Sequence, residues 1–127
     1  DNTKASLMTR GLAEMVRLGE HLGAHRETFY GLSGVGDMIT TCAGRLSRNY
    51  RVGAGLAEGK PLEVILGDMG QVAEGVPTCE AAVRLSDRTG VEMPIARAVQ
   101  LVLTGSAPVA SVTADLMERS SKGEVWG

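Results

Sequence analysis

Apolar side chains at Ala5, Met8, Leu12, Met15, Val16 and Leu22 recur at three- and four-residue intervals, which predicts a helix over residues 2–22. Asn2 or Thr3 can cap its start, and Gly23 can end it. Beyond a loop or short turn from His25 to Gly31, Ser33 to Cys42 reads as a short helix with glycines near its start. Another helix is expected from Ser47 to about Ala57, because serine is a good N-cap and Gly59-Lys60-Pro61 is strong punctuation. Leu62 to Leu66 predicts a brief apolar turn of helix stopped by Gly67, and 67–77 reads as a loop. Pro77 suits the first turn of a helix reaching Thr89, with Gly90 as its stop. Pro94 opens the next, with Ile95, Ala98, Val99, Val102 and Leu103 as its stripe. Pro108 opens the last, with Val109, Val112, Leu116 and Met117 on one face, before a polar tail from Ser120 that should fray. No segment alternates as a half-buried strand would, so the expected class is all-α, a compact multi-helix domain with neighbours antiparallel across short connections.

A chain of 127 residues with 43% hydrophobic and 22% charged side chains is long enough for one core and too balanced for disorder. No run approaches the roughly 18 apolar residues of a membrane span, and charges are scattered through the first twenty positions. Four aromatics (Phe29, Tyr30, Tyr50, Trp126) and a net charge of −2 argue against nucleic-acid binding. Cys42 and Cys79 stand alone without metal-ligand spacing, so buried thiols and a reducing, cytoplasmic setting are expected. His21 and His25 are four apart, but Gly23 between them should end the helix that could make them a metal pair. The sequence starts at Asp1 with a helical pattern almost at once, which suggests a piece of something longer.

Three segments carry candidate chemistry. Gly31-Leu-Ser-Gly34-Val-Gly36-Asp37 is a glycine-rich turn that could cradle an anion, although it lacks the preceding strand and spacing of a dinucleotide fingerprint. Close helix packing explains its glycines equally, and Asp37 could be a simple charge at a helix start. In Arg45-Leu46-Ser47-Arg48-Asn49-Tyr50-Arg51, three arginines fall within seven residues with no acid among them. If Ser47 caps the helix, its hydroxyl, the free N–H groups of the first turn, the Arg48 guanidinium and the Asn49 amide gather where the helix dipole favours an anion such as phosphate. A solvated arginine face is the plain alternative. Gly70-Gln71-Val72-Ala73-Glu74-Gly75 is a loop with one acid among small residues.

The opening DNTKASLMTRGLAEMVRLG, then TFYGLSGVGDMITTC, SRNYRVG, GQVAEGVPT, VEMPI and LMERSS resemble, in that order, the C-terminal half of bacterial NAD(P)-dependent glycerol-3-phosphate dehydrogenases. The resemblance spans nearly the whole chain. It implies an all-helical substrate-binding domain like the C-terminal domain of 6-phosphogluconate dehydrogenase, serving an N-terminal Rossmann domain absent from this sequence. The implied reaction interconverts sn-glycerol 3-phosphate and dihydroxyacetone phosphate with NAD or NADP, for glycerophospholipid synthesis in the cytoplasm. Residue by residue, it implies substrate contacts at Asp37, Thr41, Ser47, Arg48 and Asn49, and cofactor contacts at Arg48, Val72 and Glu74. The family's general acid/base lysine lies upstream of the stretch matching DNTK, so no catalytic residue is expected here, and activity of this chain alone should be nil. A homodimer is a further implied partner. A stand-alone helical module that binds a phosphorylated ligand or a partner remains the alternative.

Overall fold

Prolines and glycines divide the chain where the sequence suggests. The structure, a computed structural model, describes residues 2–29, 48–70 and 73–121. These form seven helical segments and no strand: α1 (Asn2–His21), α2 (Arg26–Phe29), α3 (Arg48–Ala57), α4 (Leu62–Met69), α5 (Gly75–Thr89), α6 (Pro94–Leu103) and α7 (Val109–Ser121). The all-α expectation holds for the described residues. None of their helices is long and apolar enough to cross a membrane. The expected helix over 33–42 lies outside them, as does the tail from 122, while α7 continues through Ser120 and Ser121, where the tail is expected to begin.

Gly23, at φ 99°, turns the chain out of α1, and α2 then folds back through a fork in which Arg26 Nε and Nη2 donate to the two Glu20 carboxylate oxygens at 3.2 and 2.9 Å. Gly90 (φ 76°) ends α5 as expected, its N–H reaching the Ser86 carbonyl. The stop of α4 differs from expectation. Gly67 lies inside the helix, and Gly70, left-handed at φ 66°, is the cap. An interior glycine costs only about 1 kcal/mol against alanine, and Met69, one turn on from Ile65, packs on the Val52–Ile65–Ala73 cluster, which draws the helix past Gly67. The loop expected over 67–77 shrinks accordingly, because α5 starts at Gly75.

Among the described residues the core has two centres. Ala98, Val112 and Leu116 join α6 to α7, with Leu7, Ile95 and Val102 packed around them. Val52, Ile65 and Ala73 join α3 to α4, flanked by Val76 and Leu103 from α5 and α6. Where α3 crosses α4, a Cβ on Gly55 would stand 2.8 Å from Ile65 Cδ1, so glycine permits the close approach.

The inward face of α1 is only partly the apolar stripe that the spacing suggests, with Met8 and Leu12 half-buried on it. Val16 is buried, but Met15 and Leu22 are 40% and 59% exposed, while Glu14 is 2% exposed. The reason lies on α6. Pro94 has no N–H and Met93 gives no side-chain cap, so the first helix donors are those of Ile95 and Ala96. They donate to Glu14 Oε2 and Oε1 at 2.5 and 3.2 Å. Burial pushes the Glu14 carboxyl above its ordinary range, against the opposing pull of these two N–H groups and of the Arg17 and Arg119 charges. Arg17 Nη2 in turn donates to the Glu92 carbonyl (2.5 Å), so two polar ties fix α1 on the α5–α6 corner. Ser86, also buried, is satisfied there: its hydroxyl donates to the Val91 carbonyl (2.6 Å) and accepts from Arg97 Nη2 (3.0 Å).

Candidate functional site

The arginine-rich segment emerges at the start of α3. Arg48 is the first helical residue and exposed, as is Asn49. One face of the helix is anchored: Val52 and Gly55 are buried against α4, and Tyr50 is half-buried. A positive helix dipole at this end favours an anion beside the Arg48 guanidinium.

The second flagged segment is held by its alanine. Ala73 is 1% exposed, the most deeply buried core residue, and so fixes the backbone that leads to Glu74 and Gly75. Glu74 is the N-cap of α5 with helical φ and ψ, and its side chain makes no bond to the helix that it caps. Asn49, from α3, caps it instead: the Gly75 N–H donates to Asn49 Oδ1 at 3.0 Å. One hydrogen bond across 26 positions thereby joins the Arg48–Asn49 pair to Glu74–Gly75. An apolar cleft of about 230 Å3 adjoins the bond, lined by Asn49, Gly75, Val52, Leu56, Val76 and Leu103 among others.

Of the residues singled out from sequence, Asn49 is thus bonded to the backbone of Gly75, next to Glu74, and Arg48 precedes Asn49 on α3. Asp37, Thr41, Ser47 and Val72 lie outside the described residues, as do Arg45 and Cys42. His21 closes α1, and His25 stands beyond the Gly23 turn, so the two do not share one helix. Cys79 is a buried free thiol, as expected; its Sγ–H donates to the Ala96 carbonyl at 3.3 Å, and burial raises its pKa. Sequence reasoning missed two residues. Glu14 carries no local mark, since its partners lie 81 and 82 positions away. Gly75 does carry one: it follows Glu74 where no helix ends.

Chemically, the two tied segments carry a guanidinium, on Arg48, and an acceptor carboxylate, on Glu74. This suits a ligand with an anionic group at one end and hydroxyl or amide donors at the other. No complete proton-transfer or nucleophilic set accompanies it among the described residues.

Comparison with known proteins agrees with the architecture. A family model described as NAD-dependent glycerol-3-phosphate dehydrogenase C-terminus matches residues 1–114. The chain is 54% identical over 125 residues to a glycerol-3-phosphate dehydrogenase [NAD(P)+] of Geobacter sulfurreducens, covering 98% of this chain and 37% of that protein. It is 55% identical over 124 residues to the protein of the same name from Dechloromonas aromatica, covering 98% and 38%. A crystal structure of glycerol-3-phosphate dehydrogenase from Coxiella burnetii superposes with a TM-score of 0.90 at 35% identity, over 94% of this chain and 37% of that one. The chain therefore spans little more than a third of the length of these relatives. Matched in family, sequence and fold, it belongs to the C-terminal domain family of the NAD-dependent glycerol-3-phosphate dehydrogenases.

Proposed function

We propose that this chain is the helical, substrate-binding half of an enzyme that interconverts sn-glycerol 3-phosphate and dihydroxyacetone phosphate with NAD or NADP, and that residues 1–127 work against a Rossmann domain carried by the same polypeptide. The observation that carries the reading is the Asn49–Gly75 bond. It ties the helix start that carries Arg48 and Asn49, read here as the anion site, to the segment that carries Glu74.

The residues present fit a nicotinamide cofactor. Glu74 is exposed and not spent on capping, so it can accept from ribose or carboxamide donors, while Arg48 can donate to a phosphate or carbonyl. Arg48, Val72 and Glu74 would hold the cofactor on this side; when bound, it supplies the hydride. Arg48, Asn49 and Ser47 bind the phosphate of the substrate, remote from the reacting carbon. Asp37 orients a substrate hydroxyl or the upstream lysine that donates the proton, with Thr41 in the same pocket. Remote phosphate contacts position the ketone for attack, so losing them lowers turnover as well as affinity. The reading extends to glycerophospholipid synthesis in the cytoplasm and to association with a second copy.

The test is oxidation of NADH and NADPH with dihydroxyacetone phosphate by the complete polypeptide beside the 127-residue chain. Activity in the complete form alone is expected. Silence in both, with inorganic phosphate bound as well as glycerol 3-phosphate, would indicate a phosphate-binding module instead.

A further inference from the structure

Gly75 is a glycine that backbone conformation does not explain. The described glycines with positive φ are Gly23, Gly59, Gly70, Gly90 and Gly105, all just beyond helix ends; Gly75 is not among them. Space explains it. A Cβ there would stand 2.6 Å from Asn49 Oδ1, 2.8 Å from Cγ and 3.0 Å from Nδ2, inside any normal contact. The same residue donates its N–H to Oδ1 at 3.0 Å. The bare Cα and the N–H together hold the carboxamide in one orientation. A flipped amide would set an NH2 against the N–H of Gly75 and forfeit that bond. The oxygen is thus taken by α5, and Nδ2 is the donor of the carboxamide left over for another partner.

We propose that Gly75 is a positioning residue: it seats the Asn49 carboxamide so that Nδ2 is presented, beside Arg48, to the phosphorylated three-carbon substrate. The inference rests on the substrate reading above and adds the residue through which Asn49 is set. It also explains why an asparagine at an anion-binding helix start is tied to the segment carrying Glu74. The side that grips the substrate and the side offered to the cofactor share one bond, so their spacing is fixed before either ligand arrives.

The test uses Asn49→Ala, Gly75→Ala and the double variant in the complete polypeptide, reading kcat and KM for dihydroxyacetone phosphate together with the thermal midpoint. Each single change is expected to lower kcat/KM by about tenfold or more, the scale of one hydrogen bond to a charged group. The midpoint of Gly75→Ala should stay near that of the unaltered enzyme, because alanine is the better helix former. In the Asn49→Ala background there is no carboxamide to displace, so Gly75→Ala should lower kcat/KM no further. An equal loss in both backgrounds would overturn the proposal, since Gly75 would then act by another route. Unchanged kcat/KM for Gly75→Ala, with Asn49→Ala impaired, would overturn the positioning role and leave the substrate reading standing. An active Asn49→Ala enzyme would overturn both the proposal and the substrate role of Asn49. Should Gly75→Ala fail to fold, Asn49→Asp serves: it keeps an acceptor for the Gly75 N–H and lacks Nδ2. It should retain the midpoint and lose kcat/KM; full activity would overturn the proposal.

Discussion

Replacing Glu14 with alanine removes the acceptor for the first two N–H groups of α6 in a site that water barely reaches. A buried donor without a partner costs about 1–3 kcal/mol. Two such donors, less what is regained by taking a charge out of a dry site, give a net loss of about 2–4 kcal/mol. That corresponds to a fall of roughly 10 °C in Tm for a chain of this size, measurable by calorimetry or by the urea midpoint. Glutamine is the finer probe, because it keeps one acceptor and cannot ionise. The folded carboxyl titrates above its ordinary value of 4.5. Between that value and the raised one, the folded chain holds a proton that the unfolded chain has released, so stability falls as pH climbs through the window. Glu14→Gln has no such slope. The advantage of the native protein over Glu14→Gln should therefore be largest in acid and shrink toward neutrality. A loss under about 1 kcal/mol for alanine would refute the capping argument. An advantage over glutamine that widens as pH rises would refute the claim that desolvation outweighs the N–H groups and the arginines.

The remaining predictions follow from charge, packing and burial. In the complete polypeptide, Arg48→Ala should cost more than about 2 kcal/mol of transition-state stabilisation in kcat/KM, and Arg48→Lys should not restore it, since a point charge replaces a fork. Equal efficiency in either variant would contradict this. Leu116→Ala, in the α6–α7 cluster with Ala98 and Val112, should lower unfolding free energy by about 2–4 kcal/mol in urea; a loss under half of that would mean the cluster collapses around the void. Cys79 should resist alkylation in the native protein until the pH passes the usual thiol range, as burial raises its pKa. Peptide-mapped labelling as fast as that of the urea-unfolded chain would contradict the burial.

Much of the fold was legible because its punctuation is local. Pro94 fixes its own φ, and Gly90 takes a left-handed turn that few other residues accept, so each marks a boundary by itself. Gly67 and Gly70 could not be ranked that way. Both can end a helix, and what decides is Met69 reaching the cluster on α3, a contact with residues distant in sequence. The same limit explains α1, where the periodicity pointed Met15 inward and the α6 donors drew Glu14 in instead. At the site, the clustered arginines, the N-terminal position of Arg48 and the small-residue segment around Glu74 could be read directly. That Asn49 would reach across to Gly75 could not, because no periodicity encodes the separation of α3 from α5.

Two hydrophobic centres in place of one divide the unfolding of the molecule. The α6–α7 cluster has α1 tied to it through Glu14, and the α3–α4 pair rests on a second cluster that meets α5 and α6 at Val76 and Leu103. Opening the second costs the contacts of Val52, Ile65 and Ala73 and uncovers Val76 and Leu103, while Ala98, Val112 and Leu116 can stay packed, so partial unfolding is expected to be cheaper than global unfolding. Arg48 and Asn49, proposed above to bind the substrate phosphate, ride on the second cluster. Their backbone amides would exchange hydrogen with solvent through this smaller opening, while those of α6 wait for the whole chain to come apart.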